Sequence, residues 1–349
     1  MRLLRSVVAL ALLALLAPAA RAQMSPEAAR ADLDVLQRAI VEAHGAPYRF
    51  TSKAELDRRF DAARASLREP VTSRAFAALA ARTLAALRDG HSSIELDSAT
   101  AAASAAARRF PLRVTLEGER IVVLFNDTPN DSTIRPGMEV VRINGVPAAD
   151  VLARILPAVP GDGFIETGRR DRLGRRFAQY YWLHVDSTER FIVDARDGDR
   201  RVAATLDVVT DAARARNDNP VNRAVRAAIA RVIGGGRESV SLRFADDSTV
   251  AVLRVRAFGG ATFVAALDSA FDALRVRGTS GLVLDLRGNG GGTDMYGASL
   301  VSHLVRAPFR YFDHIHLATI NPSFATWTPK TFDDLRAGTT ADPAGGSSC

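Results

Sequence analysis

Residues 281–297 read GLVLDLRGNGGGTDMYG. An apolar run stops at Asp285-Leu286-Arg287. Glycines follow at positions 288, 290, 291 and 292, and a helix-like pattern resumes after Thr293. A continuous apolar run predicts a strand buried on both faces. Glycines between a strand and a helix expose backbone N–H groups where the helix dipole favours negative charge. Four uses compete for such a corner. A dinucleotide loop wants G-x-G-x-x-G, but the third glycine position is Thr293, and no clear strand-ending acid lies about 20 residues on. A nucleotide P-loop wants Gly-Lys-Ser/Thr, and the corner has no lysine. An oxyanion hole needs only donors that approach closely, each worth roughly 3–4 kcal/mol of barrier. The fourth is a tight turn without chemistry.

Working outward, the flanking chain reads as α/β. VSLRFA (240–245) and TVAVLRVRAF (249–258) are expected strands, and TFVAALDSAFDALRV (262–276) a helix with Phe263, Leu267, Phe271 and Leu274 on one stripe. Residues 294–305 continue as a helix, and RYFDHIHLATI (310–320) reads as a strand. Upstream, PLRVTLEG, RIVVLFND, ERFIVDAR and RVAATLDVV alternate as strands around turns at Pro136-Gly137 and Asn144-Gly145, with a basic amphipathic stretch at 168–181. Residues 25–90 read as three helices. Ser25-Pro26 caps the first, Ser52 with Glu55 makes a capping box for the second, and the third ends at Asp89-Gly90 with glycine in the left-handed position. SSIEL (92–96) looks like the start of a strand, and 98–108 like a linker or short helix.

The N-terminus stands apart. Arg2 and Arg5 precede an apolar run from Val7 to about Ala20, and Ala20-Arg21-Ala22 suits cleavage, so residues 1–22 are expected to be a secretory signal peptide. The run is short for a membrane span and no second long apolar run follows. The protein is therefore expected to be periplasmic or secreted, and not membrane-spanning once the signal is removed. Loss of Arg2, Arg5 and Arg21 lowers the formal charge from +7 to +4. The remaining arginines are scattered among acids rather than interleaved with aromatics, which argues against a nucleic-acid partner. The single Cys349 excludes an internal disulfide.

Among six histidines, His91 stands out, since it follows a helix-ending glycine and sits among short polar residues. That setting suits a general base. His314 and His316 alternate on the expected strand without a third ligand of convincing spacing, so they read as a strand-face pair; no metal and no cofactor is expected.

LRDGHSSIEL (87–96), IRPGMEVVRINGV (134–146), AVLRVRAF (251–258) and the glycine run occur in the order seen in tail-specific serine peptidases. The chain resembles the exported bacterial branch of that family, related to C-terminal-processing and tricorn-type enzymes. The resemblance implies an α/β protein with a helical N-terminal part (23–98), a PDZ-like β-rich domain (109–210), a connection (211–237) and a partial crotonase-like core (238–349). It implies a peptide or protein substrate cleaved by acyl transfer. His91 would be the base, Gly290 or Gly291 the oxyanion donor, and the turn at Gly137 and Met138 would lie near the peptide end. Other members use a Ser-Lys dyad, but Lys330 is the core's only lysine and lies in an irregular segment, so the histidine route fits better. The acids considered for orienting His91 are Glu95 and Asp285; Asp285 is the better candidate for pinning the loop through Arg287. Family members place the nucleophilic serine after another strand, whereas this chain ends at ADPAGGSSC. Ser347, Ser348 and Cys349 do not fit that setting, and the chain is read as truncated before the nucleophile. The alternative is a protein on the same scaffold that binds peptide or a small apolar ligand without turnover.

Overall fold

The computed structural model describes residues 23–106, 109–129, 131–216, 219–233, 238–245, 249–313, 316–319, 321–325, 340–341 and 347–348. The expected signal peptide, Lys330, His314 and Cys349 lie outside the described residues. The chain divides into two compact units, Met1–Arg226 with His316–Cys349, and Ala227–Ile315.

The first unit opens with β1 (Gln23–Met24), α1 (Pro26–Ala43), α2 (Lys53–Ser66), β2 (Val71–Thr72) and α3 (Ser73–Leu84), followed by a 3-10 turn at Ala85–Leu87. Apolar residues at helical spacing bury one face of each helix: Ala29, Leu33 and Ile40, then Leu56, Phe60 and Ala63, then Ala77, Ala80 and Leu84. Each large buried side chain contributes about 1.5–3 kcal/mol. The side chains of Ser25, Ser52 and Thr72 accept the amides of Ala28, Glu55 and Ala75, each at 3.2 Å. Only half of the expected capping box forms, because Glu55 pairs with Arg58 and Arg59 instead.

Two local expectations near His91 are corrected. The left-handed position after α3 belongs to Arg88 (φ 55°), not Gly90. The SSIEL segment is not a strand, because Ser92 turns back onto Asp89 through its amide and its hydroxyl. The next element is α4 (Ser98–Ala106).

Six strands then form one antiparallel sheet: β3 (Leu112–Glu117), β4 (Arg120–Asn126), β5 (Glu139–Ile143), β6 (Val146–Pro147), β7 (Arg190–Asp197) and β8 (Arg200–Asp207), in the order β3-β4-β5-β7-β8 with β6 on β5. Asn144 and Gly145 both have positive φ (51° and 78°), which twists the β5–β6 hairpin with its strands. The sheet is covered by α5 (Ala148–Ile155), α6 (Glu166–Arg175) and α7 (Phe177–His184). The basic stretch at 168–181 thus becomes parts of two helices that bury Leu173, Phe177 and Tyr181. Phe110 packs on Phe177, Tyr181 and Phe191, with centroids 5.0–5.8 Å apart.

The end of β4 is tied to the connection beyond the sheet. Asn126 and Asn222 exchange backbone–side-chain hydrogen bonds at 2.9 and 2.7 Å. The fully buried carboxylate of Asp127 receives Arg113 as a two-pronged fork at 2.9 and 3.0 Å, with Arg214 at 3.5 Å. Arg214 lies on α8 (Asp211–Arg216). The unit also includes three two-residue strands from the C-terminal part, in which Ser347–Ser348 pairs with His316–Leu317 and Thr340–Ala341.

The second unit follows α9 (Arg223–Ile233), which begins in the first. It holds β9 (Val240–Phe244), β10 (Val250–Val255), α10 (Phe263–Val276), β11 (Gly281–Asp285) and α11 (Asp294–Leu304). Strand β10 pairs antiparallel with β9 and parallel with β11. The β10–α10–β11 crossover is what parallel pairing requires. Val240, Leu253, Val255, Phe263, Leu267 and Leu300 form its core. Contrary to the two-faced burial expected of it, β11 is the edge of a three-stranded sheet and Val283 is 51% exposed. Arg310–Asp313 are not a strand, and among the described residues β11 has no second strand partner.

Candidate functional site

The His91 turn lies wholly within the first unit, and its backbone is held by long-range bonds. The Gly90 amide donates to Asp162 Oδ1 at 2.8 Å, Arg172 donates to the Gly90 carbonyl at 2.8 Å, and Gly163 donates to the Arg88 carbonyl at 2.7 Å. A Cβ on residue 90 would sit 2.7 Å from Asp162 Oδ1, so glycine is needed here for close approach.

Asp89 organises the turn from inside. It accepts the His91 amide at 3.0 Å, the Ser92 hydroxyl, and His44 Nε2 at 3.2 Å. Partial burial works to raise its pKa, but these donors outweigh it and hold the carboxyl below its ordinary value. The His91 ring is 95% exposed, with Nδ1 3.8 Å from Asp89 Oδ1. That is longer than a hydrogen bond.

Ligand atoms of Asp89, His91 and Asp162 lie within 4.8 Å of one another, a spacing open to a cation. Both Asp89 oxygens and Asp162 Oδ1 already accept protein donors that fix the turn. Within the first unit, two acids stand beside the imidazole, Asp89 and Asp162. Asp89 stood two residues from His91 in the sequence. Asp162 was signalled only by an Asp-Gly turn at 162–163.

The glycine corner lies wholly within the second unit. Asp285, 7% exposed, grips the Arg287 guanidinium at 2.8 and 2.9 Å and accepts the Arg287 amide at 3.1 Å. The hydrogen bonds from Arg287, with the positive charges of Arg287 and Arg254, hold Asp285 well below the usual carboxylate range. Asn289 clamps the loop from within: Nδ2 donates to the Val255 carbonyl at 3.0 Å, and Oδ1 accepts the Gly291 amide at 2.7 Å.

Gly292 runs against Phe258, with Thr293 donating to Phe258 and Phe258 to Gly291. A Cβ on Gly292, whose φ is 147°, would fall 2.1 Å from the Phe258 carbonyl oxygen. The Gly290 amide has no hydrogen-bond partner among the described residues and is exposed. Thr293, at the N-cap of α11, makes no side-chain capping bond. Of the two expected donors, Gly291 is thus closed by Asn289 and Gly290 is open. The signal for that closure was Asn289 itself, since asparagine often accepts the amide two residues on.

Gly137 (φ 91°) and Met138 form the turn before β5. The Gly137 amide donates to Val123 at 2.8 Å, and Met138, 2% exposed, belongs to the sheet's core. The sheet edge at β3 is covered by α6, where a Cβ on Gly174 would meet the Val114 carbonyl oxygen at 3.2 Å. Where α6 covers it, that edge is not free to add a peptide strand.

Among the described residues no helix is long and apolar enough to cross a membrane. No curated protein sequence matches the chain. A solved structure of a CPAF mutant is similar in fold, with 17% identity and a TM-score of 0.53 over 79% of this chain and 59% of that one. This chain thus spans about three fifths of that protein's length. The photosystem II D1 C-terminal processing protease aligns over 82% of this chain and 66% of its own, at 17% identity and a TM-score of 0.33, too low to bear on the fold. Residues 249–311, which run from β10 through the glycine corner and α11, match peptidase family S41. Through that segment, and no further, the chain is similar to peptidase family S41.

Proposed function

We propose that the protein is an exported serine-type peptidase that cleaves peptides or protein C-terminal regions by acyl transfer, with none of the described residues assigned as its nucleophilic serine. The observation that carries this reading is the open Gly290 amide on a strand-to-helix corner inside the segment that matches a peptidase family. A donor of this kind, rigidly placed, stabilises the oxyanion of a tetrahedral intermediate. His91 is the general base of the proposal, on a turn whose backbone is fixed by Asp89, Asp162 and Arg172. Export rests on the leader pattern of residues 1–22. The PDZ-like and crotonase-like readings of the sheet domain and the second unit belong to the same proposal.

One observation favours a second reading. The closure of Gly291 by Asn289 removes one of the two donors expected at the corner. A protein that holds peptide without turning it over needs no more than that.

Incubation with a peptide library, read by mass spectrometry, separates the two. Hydrolysis that is lost in His91→Ala, with a fluorophosphonate probe labelling one serine, supports the peptidase. Peptide binding by calorimetry with no hydrolysis and no labelling supports the binding protein.

A further inference from the structure

Beside the His91 turn lies an aromatic surface that neither the family match nor the catalytic proposal uses. Phe164 is 70% exposed, Ile165 60% and Phe50 36%. Phe50 meets Phe164 edge-on at 6.2 Å, and the Arg88 guanidinium lies 4.4 Å over the Phe164 ring. Large apolar side chains grouped on the surface, rather than scattered singly, are candidates for an interaction site.

The position of these residues is fixed rather than incidental. Gly163 adopts φ 56°, and a Cβ there would crowd the Phe50 ring at 3.0 Å. Its amide donates to Arg88, its carbonyl accepts from the Arg88 side chain at 3.4 Å, and Ile165 closes the turn onto Asp162. The same turn reaches Gly90 through Asp162. Phe164 and Ile165 are therefore attached, through two backbone-anchored bonds, to the residues immediately before His91.

We infer that Phe164 and Ile165, backed by Phe50 and Arg88, form a specificity subsite that receives one large apolar side chain of a peptide. This rests on the peptidase reading for what happens next to the bound residue, but the binding itself does not. Rings with few rotatable bonds, already held in place, lose little entropy when they take up a ligand side chain.

The test uses the full chain and fluorescein-labelled peptides that differ at one position, phenylalanine or glycine, read by anisotropy. The phenylalanine peptide is expected to bind roughly tenfold more tightly, as burial of one large apolar side chain implies. Phe164→Ser and Ile165→Ser should each remove most of that preference, leaving the glycine peptide's affinity and the melting temperature unchanged. Equal binding of the two peptides by the unmodified protein overturns the subsite, as does a preference that survives both substitutions. Loss of liposome binding rather than of peptide preference in Phe164→Ser also overturns it. His91-dependent cleavage with an unaltered preference sinks the subsite alone. A Phe164-dependent preference without cleavage sinks the peptidase alone.

Discussion

Gly90 and Asp162 meet across 72 residues of sequence, the amide of one donating to the carboxylate of the other at 2.8 Å. Because a Cβ on residue 90 would lie 2.7 Å from that oxygen, Gly90→Ala must turn the Asp162 carboxylate aside or shift the backbone, weakening the bond that joins the two turns. Overpacking of this kind costs about 1–3 kcal/mol. Urea denaturation should show that loss. Peptide turnover should fall with it, because His91 is the next residue along that backbone. Asp162→Asn keeps the acceptor and should be nearly neutral for stability.

In the second unit the tightest approach is Gly292 against Phe258. No rotation of a neighbouring side chain relieves a Cβ 2.1 Å from a backbone oxygen. Gly292→Ala should therefore break the Phe258–Gly291 and Thr293–Phe258 bonds, at a cost of more than roughly 3 kcal/mol. Gly288→Ala serves as the control. Residue 288 also has positive φ (77°), but nothing lies within 4 Å of an added Cβ, so only backbone strain of order 1 kcal/mol is expected. Chemical denaturation of the two variants side by side checks the ranking.

The helices were legible because their apolar residues repeat at the helical period and their caps are local. What went unread was decided by contacts far apart in sequence. A glycine after a helix suggested a left-handed terminus, but Arg88 takes that conformation and Gly90 is required by a carboxylate 72 residues away. The run Leu282–Leu284 looked doubly buried, yet burial depends on what pairs beyond it, and β11 proved an edge. At the glycine corner the run showed where amides gather, but not which of them Asn289 would occupy. The aromatic pair Phe50 and Phe164 gave no local signal, since its two members come from loops more than a hundred residues apart.

Removal of the buried acid at the end of β4 should be costly. Asp127 holds Arg113 and Arg214 with no exposed surface of its own. Truncating the shared acid leaves two guanidinium groups, 33% and 18% exposed, without their common partner, at a cost of about 1–3 kcal/mol. Asp127→Ala should lower the denaturation midpoint accordingly and loosen the connection that carries Arg214, read as faster amide exchange over residues 211–216. A loss under about 1 kcal/mol would show that water replaces the carboxylate.

Stability should decline in acid partly through His184. Burial, followed by the nearby charges of Arg82 and Arg74, pushes its pKa from 6.5 down to about 4, and among the described residues Nε2 has no hydrogen-bond partner. Above pH 6.5 neither the folded nor the unfolded chain binds this proton, and the group adds no pH dependence. Between 6.5 and about 4 the unfolded chain takes up the proton and the fold resists it. Stability therefore falls as pH falls, by at most about 1.4 kcal/mol per unit. His184→Phe keeps a ring for stacking on Tyr180 and should flatten that part of the profile. Equal slopes for both proteins would mean that the site admits the charge.

Asn289 gives the sharpest test of the corner's chemistry. Asn289→Ala deletes its bond to Val255 and releases the Gly291 amide, two neutral hydrogen bonds worth about 1 kcal/mol each. Two outcomes for turnover oppose each other: a second donor becomes free, but the loop that aims both donors loses its clamp. Preorganisation outweighs donor number, because a donor helps only if it already points at the oxyanion position. The expected result is a fall in kcat of at least roughly tenfold with KM little changed, the pattern of an interaction made mainly in the transition state. Asn289→Asp keeps an acceptor for Gly291 but sets a carboxylate against the Val255 carbonyl and adds negative charge beside the oxyanion position, so its kcat should fall at least as far as that of Asn289→Ala. A higher kcat in Asn289→Ala would show instead that the asparagine holds the corner closed.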